Sequence, residues 1–90
     1  MRTITHVAIR FQGQIWSLPK PNRHNDVIRL IGTTLGIKYV DARKRDQGFL
    51  DNEGNYLTRK ESLAVAMAAN QLTARATGHK LGELYSEDVW

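Results

Sequence analysis

Two short stretches of this sequence carry side chains suited to gripping an anion. Arg23-His24 falls at the predicted start of a helix. Unpaired backbone N–H groups and the positive end of the helix dipole favour negative charge there. An arginine beside them can hold a phosphate through two parallel hydrogen bonds. Farther along, Gln47-Gly48-Phe49 precedes a predicted hairpin, and Arg59 opens the helix that follows. A phenyl ring can stack on a nucleobase, and a guanidinium can meet a phosphate or lie on a ring plane. A cation at a helix start is electrostatically disfavoured, so Arg59 would be better placed beside an anion. The plainer readings are an exposed Arg23, a capping or surface His24 and a core Phe49.

Other chemistries find less support. His6, His24 and His79 are scattered, and the chain has no cysteine. Without paired imidazoles or thiolates, no metal site is expected. There is no nucleophile elbow, P-loop or dinucleotide fingerprint. Ser86-Glu87-Asp88 offers carboxylates that read as a solvated face or a helix cap. The expectation is a binding protein with no catalytic residues and no cofactor. Arg43-Lys44-Arg45 is a basic run that reads first as a solvated loop and second as a nucleic-acid contact.

Composition agrees with a binding role for an anionic partner. The net charge is +4 and the pI about 9.8, a balance that fits a nucleotide, a nucleic acid or an acidic surface. At 90 residues the chain is read as a single domain, 1–90. A core this thin gains from oligomerisation. The absence of cysteine and of a long apolar N-terminal run favours an intracellular location. No window approaches the ~20 apolar residues of a membrane span.

The elements that must position these residues can be read from periodicity. Thr3 to Phe11 alternates, with Val7, Ile9 and Phe11 on one face, and Gln12-Gly13 suits a two-residue hairpin turn. Ile15, Trp16 and Leu18 continue as a second strand, which Pro19 and Pro21 stop. Asn22 is the expected cap of a helix carrying Val27, Ile28, Leu30, Ile31 and Leu35, with Gly36 as its stop. Ile37 to Val40 reads as a short third strand. Gly48-Phe49-Leu50 and Asn55-Tyr56-Leu57 flank a turn. Thr58-Arg59-Lys60-Glu61 is a capping box for a second helix to about Leu72, with Leu63, Met67 and Val65 or Ala66 toward the core. The apolar tail ending in Leu84, Tyr85, Val89 and Trp90 is expected to fold back or to dock on a neighbouring subunit. The predicted class is α+β: a mainly antiparallel sheet of two hairpins and a short strand, two helices and a packed C-terminal tail.

Three segments together resemble a known group. They are Asn22-Arg23-His24-Asn25-Asp26-Val27-Ile28, the stretch Gln47-Gly48-Phe49-Leu50 followed by Gly54-Asn55-Tyr56-Leu57-Thr58-Arg59-Lys60-Glu61-Ser62, and Leu84-Tyr85-Ser86-Glu87-Asp88-Val89-Trp90. The pattern resembles a family of small tailed-phage proteins, most of them of unknown function. It is also similar to the phage anti-Thoeris proteins that act as sponges for a cyclic ADP-ribose signal. That resemblance implies an anti-defence protein in the host cytoplasm, a homo-oligomer that sequesters a nucleotide immune signal without cleaving it, cyclic oligonucleotides included. It implies Phe49 as the ring that stacks on the base. Arg23, His24 and Arg59 would meet phosphate or ribose, with Gln47 beside them and Arg75 supplied by the tail. The alternative expectation is a phage nucleic-acid-binding or regulatory protein.

Overall fold

The computed structural model of the chain describes residues 1–41, 46–73 and 82–90. Strand β1 (Ile4–Phe11) turns into β2 (Gln14–Pro19) through Gln12-Gly13. Both turn residues have positive φ, +52° and +76°, the type I′ geometry whose twist matches an antiparallel pair. Helix α1 (His24–Leu35) follows. Strands β3 (Gln47–Asp51) and β4 (Tyr56–Thr58) form the second hairpin, and helix α2 (Arg59–Ala68) starts directly from β4. The sheet has the order β2-β1-β3-β4, and every neighbouring pair is antiparallel.

Register decides which face is the core. Val7 lies opposite Leu18 and Phe49, and Phe49 opposite Leu57, so these side chains share one face. They pack with Val27 and Ile31 of α1 and with Leu63 and Ala66 of α2. Both helices therefore cover the same side of the sheet, giving the two-layer α+β architecture expected from the sequence.

The second hairpin is held by one carboxylate. Asp51 is buried and accepts the N–H groups of Glu53 and Asn55 at 2.9 Å each, the Asn55 side-chain amide at 3.1 Å and Arg2 Nε at 3.2 Å. These donors, the Asn55 backbone first, hold its carboxyl down to about 2. The capping box at α2 forms as read: Glu61 N–H donates to Thr58 Oγ1, and Thr58 N–H to Glu61 Oε1.

The tail folds back on its own domain. Leu84 is buried, and Val89 and Trp90 pack against the core. Leu84 N–H donates to the Arg59 carbonyl, and Thr73 N–H to that of Asp88. Trp90 Nε1–H reaches the carbonyl of Asn22 at 2.7 Å. The tail thus ties the start of α1 to the start of α2.

Four local expectations are corrected. Ile37 to Val40 forms no strand. Ile37 N–H instead closes the end of α1 on the Gly32 carbonyl at 3.0 Å. The Ile37 carbonyl and Val40 side chain then crowd Gly32, where an added methyl would lie 3.0 Å and 3.6 Å from them. Val40 packs against the core while Tyr39 is left exposed, so the segment covers the end of the helix instead of extending the sheet. Arg23, not Asn22, precedes the first helical residue of α1, because Asn22 closes the preceding turn by donating to the Pro19 carbonyl. Helix α2 stops at Ala68 rather than Leu72, and Gln71 leaves it to exchange hydrogen bonds with the backbone of Ile4. Met67 is 55% exposed, because the helix turns Leu63 and Ala66 inward instead. Among the described residues, no helix is long and apolar enough to cross a membrane.

Candidate anion-binding cleft

The starts of α1 and α2, the first residue of β3 and the folded-back tail meet at one end of the molecule. They enclose a polar cleft of about 170 Å³ lined by Arg23, His24 and Asn25 from α1, Gln47, Arg59, and Tyr85 to Glu87 from the tail. The fold therefore brings together four residues singled out in the sequence: Arg23, His24, Gln47 and Arg59. Their separation along the chain is closed at Gly48, which pairs with Thr58 just before Arg59 and follows Gln47, and whose carbonyl takes the His24 ring at the start of α1.

Arg59 is held by neutral neighbours, whereas Arg23 has an acid beside it. Arg59 Nη2 donates to Gln47 Oε1 at 2.7 Å, and its guanidinium lies 4.6 Å from the centroid of the Tyr85 ring. Such stacking leaves the guanidinium's positive charge in place. Arg59 Nε is buried with no acceptor among the described residues. Arg23 donates to the Trp90 carbonyl at 2.7 Å, and Glu87 lies 3.7 Å from it. Glu87 is the local opponent of an anion, but its side chain is two-thirds exposed (67%) and can swing into solvent.

Helix α1 adds directional N–H groups. The amides of His24 and Asn25 precede the reach of the helical ladder, while Asp26 faces backward to accept the Arg23 N–H at 2.8 Å. His24 is buried, and its Nε2 lies 2.7 Å from the Gly48 carbonyl. A carbonyl only accepts, so Nε2 carries the proton. Burial, assisted by the Arg59 charge, pushes the imidazole down to about 4 despite the Gly48 contact. His24 is neutral at pH 7, so it anchors the wall of the cleft and adds no positive charge.

Phe49 is not in this cleft. It is fully buried (0% exposed), with the His24 ring edge-on at 5.0 Å and the Trp90 ring at 6.3 Å. Its place opposite Val7 and Leu57 fixes it in the core, so it cannot stack on a ligand from this site. The ring that does line the cleft is Tyr85, which sequence reading placed only in the apolar tail. Its proximity to the Ser86-Glu87-Asp88 turn was visible in the sequence; its meeting with Arg59 depends on the tail's return path. Arg75 and the Arg43-Lys44-Arg45 run lie outside the described residues. Among those described, no group of His, Asp or Glu gathers as a metal-ligand set.

A family described as "Phage T4 y16D protein" matches residues 3–90. The chain belongs to that family. The tailed-phage resemblance read from its motifs is thereby established at the level of the family. No curated protein and no solved structure matched the chain.

Proposed function

We propose that this phage protein binds the phosphate-bearing part of a nucleotide in the cleft and sequesters it without cleavage. The observation that carries this reading is the convergence of Arg23 and Arg59 with the start of α1 in one polar recess. Charge-assisted donors and free helix amides are what a phosphate requires, and Tyr85 supplies an aromatic surface at the rim. A cleft of about 170 Å³ is below the ~300–1,000 Å³ of sites that enclose whole ligands. A single chain would therefore hold a phosphate and its sugar while the base extends outward, which is consistent with a homo-oligomer whose second subunit covers the rest. On this reading the physiological ligand is a nucleotide immune signal, a cyclic ADP-ribose isomer or a cyclic oligonucleotide, and the protein acts against host defence in the host cytoplasm.

The test is calorimetric titration with cyclic ADP-ribose isomers and cyclic di- and trinucleotides, with each ligand recovered from denatured complex and examined for cleavage. Saturable binding with intact recovery is expected. Recovery of a cleaved product would make the protein an enzyme. Absence of binding across the panel, together with DNA or RNA binding that weakens steeply with salt through counterion release, would replace this reading with a nucleic-acid-binding one.

A further inference from the structure

The sheet has two edges, and they differ. Strand β4 is three residues long and runs straight into α2. Strand β2 is six residues long, pairs among the described residues only with β1, and contains no charged residue. A free edge of that kind is a template for another strand; charges, bulges or a covering element are the usual protection. Its register with β1 is regular from Phe11↔Gln14 to His6↔Pro19.

The register also fixes which backbone groups are free. The two-residue turn makes Phe11 and Gln14 a hydrogen-bonded pair. Alternation then assigns Trp16 and Leu18 to β1, and the Lys20 N–H to Thr5 carbonyl bond of 3.0 Å keeps the same phase. Ile15 and Ser17 therefore direct both N–H and C=O away from the sheet. Ile15 is 45% exposed. Beyond them Pro19 has no N–H and ends the usable edge.

We propose that this edge is a dimer interface, with β2 pairing antiparallel to β2 of a second copy about a two-fold axis beside Trp16. In that register Ile15 of each copy faces Ser17 of the other, and each pair exchanges N–H and C=O. The pairing is self-complementary, as a two-fold interface requires. A groove of about 340 Å³ runs beside the edge, lined by Leu18, Asp26, Arg29 and Leu30 among others. Asp26 and Arg29 pair with each other on this border at 3.6 Å, so neither brings an uncompensated like charge to a two-fold seam. Leu30, 36% exposed, supplies apolar surface next to the seam. The joined sheet would have both copies' helices on one side.

The test is the mass in solution by sedimentation over a concentration series, for the intact chain and for Ile15→Lys and Ser17→Pro. The dimer is expected for the unaltered protein at micromolar concentration. Each substitution is expected to raise its dissociation constant at least about tenfold, with the monomer's circular dichroism retained. Ile15→Lys adds a charge at the edge without altering the backbone, so it decides the matter if Ser17→Pro fails to fold. Because the chain has no cysteine, Ile15→Cys/Ser17→Cys is expected to form a reducible covalent dimer; directly opposed strand residues lie ~5.5 Å apart. A monomeric protein, or a dimer indifferent to Ile15→Lys and not captured by the cysteine pair, would overturn the proposal. The outcome is independent of nucleotide binding: a chain that dimerises this way and binds no nucleotide loses only the ligand reading.

Discussion

His24, the first residue of α1, donates its Nε2–H to the carbonyl oxygen of Gly48 in β3 across 2.7 Å. One buried hydrogen bond thus fixes a cleft wall to the middle of the sheet. It also sets a pH dependence. In the unfolded chain this imidazole titrates near 6.5, and in the fold near 4. Between these values the unfolded state binds more protons, so acid favours unfolding. Stability is full above about pH 6.5 and declines as the pH falls toward 4, by a total on the order of 3 kcal/mol. Urea denaturation at stepped pH should show this slope in the native chain and a flatter one in His24→Gln. Identical slopes in the two would contradict the buried neutral imidazole. Asp51, held down to about 2, contributes its own loss at lower pH, below about 4.

Phe49 and Tyr85 should separate cleanly as variants. Phe49→Ala removes a fully buried ring that His24 and Trp90 both touch, and a cost of about 3–5 kcal/mol is expected. That is enough to unfold much of a small domain. Phe49→Leu should recover most of the fold. Tyr85→Ala should weaken nucleotide binding while the unfolding midpoint changes far less. Binding lost in folded Phe49→Leu and kept in Tyr85→Ala would reverse the assignment.

Arg59 is expected to resist conservative replacement. Its planar guanidinium both donates to Gln47 and stacks on Tyr85, and a lysine ammonium cannot do both in that geometry. Titration should show Arg59→Ala and Arg59→Lys weakened alike, by roughly tenfold to a hundredfold, the worth of a charged hydrogen bond. Full rescue by lysine would reduce the role of Arg59 to charge alone.

Glu87 opposes an anion from 3.7 Å beside Arg23. Glu87→Gln should therefore tighten binding, by a few-fold at low salt and less at high salt. Weaker binding in this variant would mean that Glu87 contacts the ligand directly.

Much of the fold was legible in the sequence because its signals are local. Gln12-Gly13, the Thr58/Glu61 capping box and the turn after Asp51 each announce themselves within a few residues. Ile37 to Val40 misleads because Ile37, Tyr39 and Val40 look the same whether they extend a sheet or cover a helix; the space at Gly32 decides it. Arg23, His24, Gln47 and Arg59 were recognisable by their chemistry before the fold joined them. Phe49 was not separable from a ligand-stacking ring, since only the strand register reveals that it faces Val7 and Leu57. Tyr85 enters the site through the path of the tail, which no local pattern encodes.

The most direct test of the cleft is a proton–nitrogen NMR titration of the intact chain with cyclic ADP-ribose, each signal followed to saturation. Saturable shifts at the amides of His24, Asn25, Arg59 and Ser86, and at Arg59 Nε–H, are predicted. An unchanged spectrum, or shifts confined to β2 and the outer face of the sheet, would contradict the account.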